Sequence, residues 1–394
     1  MFRTGGGTVV IPPGATAIVG AAESTEIGTV PDVSSVGLAI DAAANAMSDA
    51  GISASDIDGF TCGYFPVADM SRQLGIFPTW ADNTVVGGCS WFFQLRNAVA
   101  AIHAGYCNTV LIVYGESGKS TRGLGQSFDA GQRGGTGQQF DMLYSGGQAA
   151  ATFTLPVLRY QHEYGLTDEE LAVGAVSQRE WAVDVPRATL REPTSVEEVL
   201  DSPMIAWPIR RAMCCLVSDA GGAIIVTSAD RAKDYPKPPV YVLGTGGALE
   251  AGVMSPGGVR EPLRPQFIST SGEAAFSSSG TTHTDIDHLM IYDAFIHNPI
   301  FGLEGLGFVD YGEGGHFIAE GHTAPGGKLP MNTNGGGLSY AHTGAYGMLC
   351  MLESIRQVRG EAANQVADVD VALCHGWGGY WSACSTLIFG ASAP

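Results

Sequence analysis

The alternation of short apolar runs with helix-periodic stretches, punctuated by glycine-rich loops, constrains this chain more than any other feature of its sequence. Ala15 to Ala22 (ATAIVGAA) reads as a short buried strand, and the Ala-rich stretch from Ser34 to Ala50 carries helical period and stops at Gly51. Ile57 to Cys62 reads as a second strand. VVGGCSWFF then opens a helix running to about His103, and the apolar strand TVLIVYGE follows. Strand–helix alternation of this kind implies an α/β layered fold.

The plan returns later in the chain. CCLVSDAGGAIIVTSADRA reads as a strand pair leading into a short helix, and the Pro-rich YPKPPVYV marks a seam. Beyond it, IDHLMIYDAF is a strand, NTNGGGLSYAHTGAYG opens a helix from about Met348 to Val358, and DVDVALC is a strand entering the turn HGWGG before a last strand, STLIFG. The expected division is an N-terminal lobe over 1–235 and a C-terminal lobe over 236–394. Periodicity is compatible with a duplication and does not require one. Residues 117–147 are polar and glycine-studded, and 148–206 are largely helical with acidic starts in TDEELA and SVEEVL. Together, 117–210 read as an insertion covering the core.

Composition narrows the function. The 55 glycines cluster at the ends of apolar runs, which suggests tight turns where backbone approaches a ligand. A formal charge of −19 repels nucleic acid and anionic membrane. There is no apolar run long enough for a spanning helix, and no basic leader with an apolar core. The eight cysteines contain no CxxC pair, and reduced thiols in a cytoplasmic protein are the simplest reading. The histidines show no metal-ligand spacing, and GQRGGTGQ lacks the GK[ST] of a phosphate loop.

Four stretches carry a resemblance. VVGGCSWFF at 85–93, CCLVSDAGGAIIV at 214–226, IYDAF at 291–295 and NTNGGGLSYAHTGAYG at 332–347, with CHGWGG behind, are similar to motifs of the thiolase superfamily. The branch resembled is that of sterol-carrier-type thiolases and lipid-transfer-protein-like aldolases, including steroid side-chain-cleaving acyl-CoA aldolases. The resemblance runs nearly end to end and implies a five-layered αβαβα thiolase fold of two similar lobes.

It also nominates site residues. Cys89 sits where thiolases place their nucleophile. After two glycines and at a helix start, backbone N–H groups and the helix dipole would favour a thiolate, while the alternative is a small buried thiol at a tight turn. Bulky Ser90, Trp91, Phe92 and Phe93 stand where thiolases carry small residues. Tyr292 takes the place of the thiolase Asn or His that helps hold the thioester oxyanion, and a phenol can donate to an oxyanion or exchange a proton with a hydroxyl. His342 matches the histidine of the thiolase GHP loop, without the flanking Gly and Pro. Tyr346 replaces a small Ser or Ala. His375 lies in the turn that carries the second catalytic cysteine of many thiolases; either Cys374 is that cysteine shifted by one, or His375 takes its place. Asp293 reads as a structural hydrogen-bonding residue.

Tyrosines at two cavity positions point to chemistry without an acyl-enzyme. The resemblance therefore implies a thiolase-like aldolase, a carbon–carbon lyase that cleaves a β-hydroxyacyl-CoA to a ketone and a short acyl-CoA. The alternatives are an acetyl-CoA acyltransferase using Cys89, and a non-catalytic lipid-binding or scaffold subunit. Coenzyme A enters only as part of the substrate, and no other cofactor is implied. The family implies a homodimer. The candidates near the site for the CoA phosphates are few: Lys119, Arg122, Arg133, Arg210 and Arg211. That scarcity, with the resemblance, suggests a small partner protein of zinc-ribbon and OB-like fold that helps receive the acyl-CoA.

Overall fold

A computed structural model describes residues 11–121, 149–250, 261–379 and 381–394. In chain order the first part holds β1 (Thr16–Glu23), α1 (Ser35–Ala50), β2 (Gly59–Cys62), α2 (Val67–Gln73), β3 (Trp80–Asp82), α3 (Ser90–His103) and β4 (Thr109–Ser117). Three helices follow, α4 (Ala149–Tyr164), α5 (Asp168–Ala182) and α6 (Val196–Asp201), then a small hairpin of β5 (Met204–Ala206) and β6 (Ile209–Arg210), β7 (Asp219–Ser228) and α7 (Ala229–Ala232). The second part holds β8 (Val240–Leu249), α8 (Gln266–Ser279), β9 (His288–Ile291), α9 (His297–Gly305), α10 (Gly314–Ala319), α11 (Gly336–Ser339), α12 (Gly347–Arg359), β10 (Val371–Gly378) and β11 (Ala383–Gly390).

The strands run in the order β3-β2-β4-β7-β1-β8-β11-β10-β9. The two halves of this sheet meet through a short antiparallel pairing of Ala17 and Ile18 with Tyr241 and Val240. Helix α1 covers one face of the first half, α8 one face of the second, and α3 and α12 lie between the halves, touching strands of both. This is the α/β layering that the sequence implied.

Both halves are built with one device. A short 3₁₀ turn precedes β2 and β9, and each carries a capping box, Ser53 with Asp56 in SASDID and Thr282 with Asp285 in THTDID. The last aspartate of each motif then ties down the start of a parallel neighbour. Asp58 accepts from the backbone N–H of Asn108 and Thr109 ahead of β4, and Asp287 from those of Asp370 and Val371 ahead of β10.

Three expectations need correction. CCLVSDAGGAIIV does not form a strand pair: only Asp219–Ser228 joins the sheet. The N–H groups of Cys215, Leu216 and Ser218 bond instead to the carbonyls of Ala294, Gly337 and His342, so this run staples the later loops to the core. HGWGG is not a turn for most of its length, because β10 stays paired with β11 through Gly378↔Ala383. The glycines, finally, are not confined to turns. A Cβ at Gly115 of β4 would stand 2.4 Å from the Ser35 carbonyl, and one at Gly221 of β7 would stand 2.2 Å from that of Leu38. In the second half, Gly246 would meet the Ser271 carbonyl at 1.9 Å. Glycines inside strands let α1 and α8 settle directly on the sheet.

The helical stretch after β4 shows why acidic residues begin its elements. Thr167 and Ser195 cap α5 and α6 and receive Glu170 and Glu198 in return as capping boxes. Of the proposed covering insertion 117–210, residues 122–148 lie outside the described residues.

Candidate active site

The central helices α3 and α12 begin side by side. Cys89 is the N-cap of α3 and Tyr346 that of α12, and a Cβ on Gly347 would stand 2.2 Å from the Gly88 carbonyl oxygen. Two helix N-termini, each the positive end of a helix dipole, thus lie side by side.

Tyr292 follows β9, its N–H bonded to the His375 carbonyl. Its ring lies on the Gly88 turn so closely that a Cβ there would be 2.2 Å from Cε1. Its hydroxyl is 2.9 Å from Nε2 of His342. The Gly344 N–H donates to Nδ1 of His342 at 3.2 Å, which places the imidazole proton on Nε2. Burial pushes His342 down to about 4, so the ring is neutral and donates to the phenol oxygen. The Tyr346 N–H also favours the Tyr292 phenolate, yet burial dominates and holds the phenol well above its usual range. With both donors on its oxygen, Tyr292 keeps its own proton free to give away.

Tyr346 is fully buried, its ring 5.7 Å from that of Tyr292, and its hydroxyl donates to Oδ1 of Asn334 at 2.9 Å. Oδ1 of Asn334 accepts from the Gly336 N–H as well, and Nδ2 is buried without a hydrogen-bond partner. An amide so fixed presents one donor that a substrate oxygen could satisfy. Sequence reasoning missed Asn334, although it quoted the NTNGGG run. The other asparagine of that run is scaffold: Asn332, at φ +55°, bonds both the N–H and the carbonyl of Ile291 with its side-chain amide.

Asp293 accepts from the Gly337 and Leu338 N–H groups at 2.7 and 3.2 Å, while burial raises it to about 8. It fixes the turn that carries Asn334, in keeping with the structural role read for it.

Cys89 does not have the environment expected of a helix-activated thiolate. It is completely buried, Gly376 and Gly378 lie against it, and desolvation pushes its thiol up rather than down. The bulky neighbours do not point at one place: Ser90 bonds the Val86 N–H and Gly87 carbonyl, and Trp91 packs tilted against Tyr114, ring centroids 4.1 Å apart.

The structure brings Cys89, Tyr292, His342 and Tyr346 together but sets His375 apart. In β10, His375 bonds through Nδ1 to Thr386, which in turn meets Ser271 of α8. Strand alternation turns Gly376 and Gly378 toward Cys89 and His375 toward the outer helix. Cys374 stays a free thiol and hydrogen-bonds the free thiol of Cys350 of α12. Among the phosphate candidates, Arg122 and Arg133 lie outside the described residues; Lys119 and Arg211 are exposed, and Arg210 is half-buried and bonded to the Ser202 carbonyl.

One carboxyl sits behind the His342 loop. Tyr114 donates to Glu116 at 2.7 Å and also meets Thr343. Burial raises Glu116 to about 7 from an ordinary 4.5. Its folded value exceeds its unfolded one, so the stability it contributes is complete below about pH 4.5 and is lost as pH rises through about 7. Glu116→Gln keeps an acceptor for Tyr114. In urea unfolding it is expected to match the parent at pH 4.5 and exceed it by about 1–3 kcal/mol at pH 8. Equal stability of the two chains at pH 8 would contradict this.

Residues 259–391 match the family described as Thiolase C-terminal domain-like. A steroid side-chain-cleaving aldolase of Thermomonospora curvata is 32% identical, over 92% of this chain and 94% of that protein. An acetyl-CoA acetyltransferase of Methanothermobacter thermautotrophicus is 30% identical, over 95% and 98%. Among solved structures, the Ltp2-ChsH2(DUF35) aldolase superposes with a TM-score of 0.86 at 30% identity, covering 97% of this chain and 98% of that one. This chain belongs to the thiolase superfamily, in its sterol-carrier and lipid-transfer-like branch, and is a thiolase-like enzyme.

Proposed function

We propose that the chain is an aldolase that cleaves a β-hydroxyacyl-CoA, with a steroid side chain as the substrate class, to a ketone and a short acyl-CoA. The observation that carries this reading is Tyr292, its oxygen held by neutral His342 and its proton left free, beside a cysteine that burial keeps as a thiol. The aldolases among the relatives support it.

In the proposed cleavage the β-hydroxyl loses its proton, the Cα–Cβ bond breaks, and its electron pair enters the thioester as an enolate. The ketone leaves with the β-carbon. Asn334 Nδ2 and the two helix N-termini hold the enolate oxygen. Tyr292 gives its proton to Cα as it takes the one leaving the β-hydroxyl, in a single coupled transfer, so no free base is needed and the enzyme ends unchanged. The high affinity of a buried phenol for its proton requires this replacement to be prompt. Tyr346, with its proton committed to Asn334, keeps its oxygen open to accept from the substrate hydroxyl.

A second reading, an acyltransferase using Cys89, draws on the place of that residue at the N-cap of α3 and on the acetyltransferase relative. Product analysis separates the two. A β-hydroxyacyl-CoA should give ketone and acyl-CoA without added CoA, whereas a β-ketoacyl-CoA consumed only with added CoA would favour the acyltransferase. His375 is left with a supporting role. The assembly proposed is a homodimer, with β3 the strand at an edge of the sheet. A small zinc-ribbon and OB-fold partner would bring the basic groups that this chain of net charge −19 lacks. The site proposed lies where the two lobes meet, with the helices of 117–210 covering it.

A further inference from the structure

Next to the Gly88 turn the rings of several side chains close on one another. His297, at the start of α9, stands nearly parallel to Phe295 and to Trp381, with interplanar angles of 13° and 9° and centroids 5.7 and 6.1 Å away. Phe301 meets Trp381 edge-on at 4.9 Å, Phe153 of α4 lies 5.2 Å from His297, and Trp377 of β10 is 5.1 Å from Trp381. Trp377 joins the cluster to the site, because a Cβ on Gly88 would stand 2.7 Å from its carbonyl oxygen.

Packing accounts for the rings but not for their nitrogens. The indole N–H groups of Trp377 and Trp381 and both nitrogens of His297 are buried without a hydrogen-bond partner. The three side chains are only 6%, 2% and 1% exposed. Each unmet buried donor costs about 1–3 kcal/mol, and folded proteins leave few of them. Phenylalanine would fill the same space without that cost. Burial keeps His297 neutral, pushed down to about 3, so the cluster offers no cation and attracts no anion. What remains is a buried aromatic cluster with neutral, unmet donors, whose chemistry suits a flat apolar ligand bearing a single acceptor.

We propose that this cluster receives the fused-ring end of the acyl group and that the Trp377 and Trp381 N–H groups donate to a ketone oxygen on those rings. The inference rests on the aldolase reading for the presence of a ring-bearing substrate, but its test does not need turnover. The full-length chain is titrated with progesterone and with the analogue lacking the ring ketone, read by tryptophan fluorescence and calorimetry. Progesterone is expected to bind at least about tenfold more tightly, the size of one satisfied donor. Trp377→Phe and Trp381→Phe should each shrink that ratio while leaving the affinity for the analogue unchanged. Equal affinity of the parent chain for the two steroids, or binding of neither, overturns the proposal whether or not the variants fold. Discrimination that survives in both variants overturns it too. Discrimination without cleavage of a ring-bearing β-hydroxyacyl-CoA leaves this inference standing and removes the aldolase reading. Cleavage without discrimination does the reverse.

Discussion

Tyr292→Phe is expected to lower kcat for the proposed cleavage by about 10²–10⁴ while changing KM little, because one general acid is removed and nothing else. The variant keeps the ring that fills the space over Gly88 and deletes only the hydroxyl 2.9 Å from His342. His342 loses an acceptor for its Nε2 proton, and burial already holds the ring neutral, so no new charge appears. The fold should therefore be retained. Tyr346→Phe should fall in the same range, since Asn334 would then lose the hydroxyl that helps fix its amide. Steady-state kinetics with one β-hydroxyacyl-CoA decides this; a Tyr292→Phe enzyme within threefold of the parent would remove Tyr292 from the chemistry.

The second large effect is on stability and lies at the far end of α12. Glu23, at the end of β1, accepts from Arg356 at 2.9 Å, from Arg187 at 3.0 Å and from the Tyr340 hydroxyl at 2.7 and 2.8 Å. Burial alone would raise its carboxyl, but the two guanidinium groups hold it below the ordinary range. Glu23→Ala removes the shared partner and leaves buried Tyr340 and part-buried Arg356 unmet. Loss of one member of a buried ion pair costs about 3–5 kcal/mol, and the partial exposure of both arginines favours the lower end. The parent should also lose this contribution as pH falls through the depressed value, and the variant should not. Urea unfolding at pH 7 and at successively lower pH below 4.5 measures both; a change below 1 kcal/mol at pH 7 would contradict this.

The sequence made the layering legible because the strands of the sheet centre are continuous apolar runs and α1 stops at a left-handed glycine, Gly51 at φ +67°. The matching capping boxes of SASDID and THTDID were equally visible, and aligning them would have disclosed the repeated build of the halves. Other features depend on distant partners. The strand that carries His375 continues through HGWG because Ala383–Thr386 pairs with it, which the turn-like glycines conceal. At Cys89, the two glycines and the helix start are all present as read, yet desolvation outweighs the dipole once Gly376 and Gly378 seal the thiol. Asn334 escaped notice because its role lies in an unmet Nδ2, and only coordinates show which amide of NTN is already used.

The measurement closest to the central claim is turnover of a β-hydroxyacyl-CoA by the Cys89→Ala chain, with intact-mass analysis of the parent during the reaction. The account predicts that Cys89→Ala keeps ketone release within about tenfold of the parent, and that no acyl adduct forms on the chain. An inactive Cys89→Ala enzyme, together with an acyl group carried on Cys89 in the parent, would contradict it.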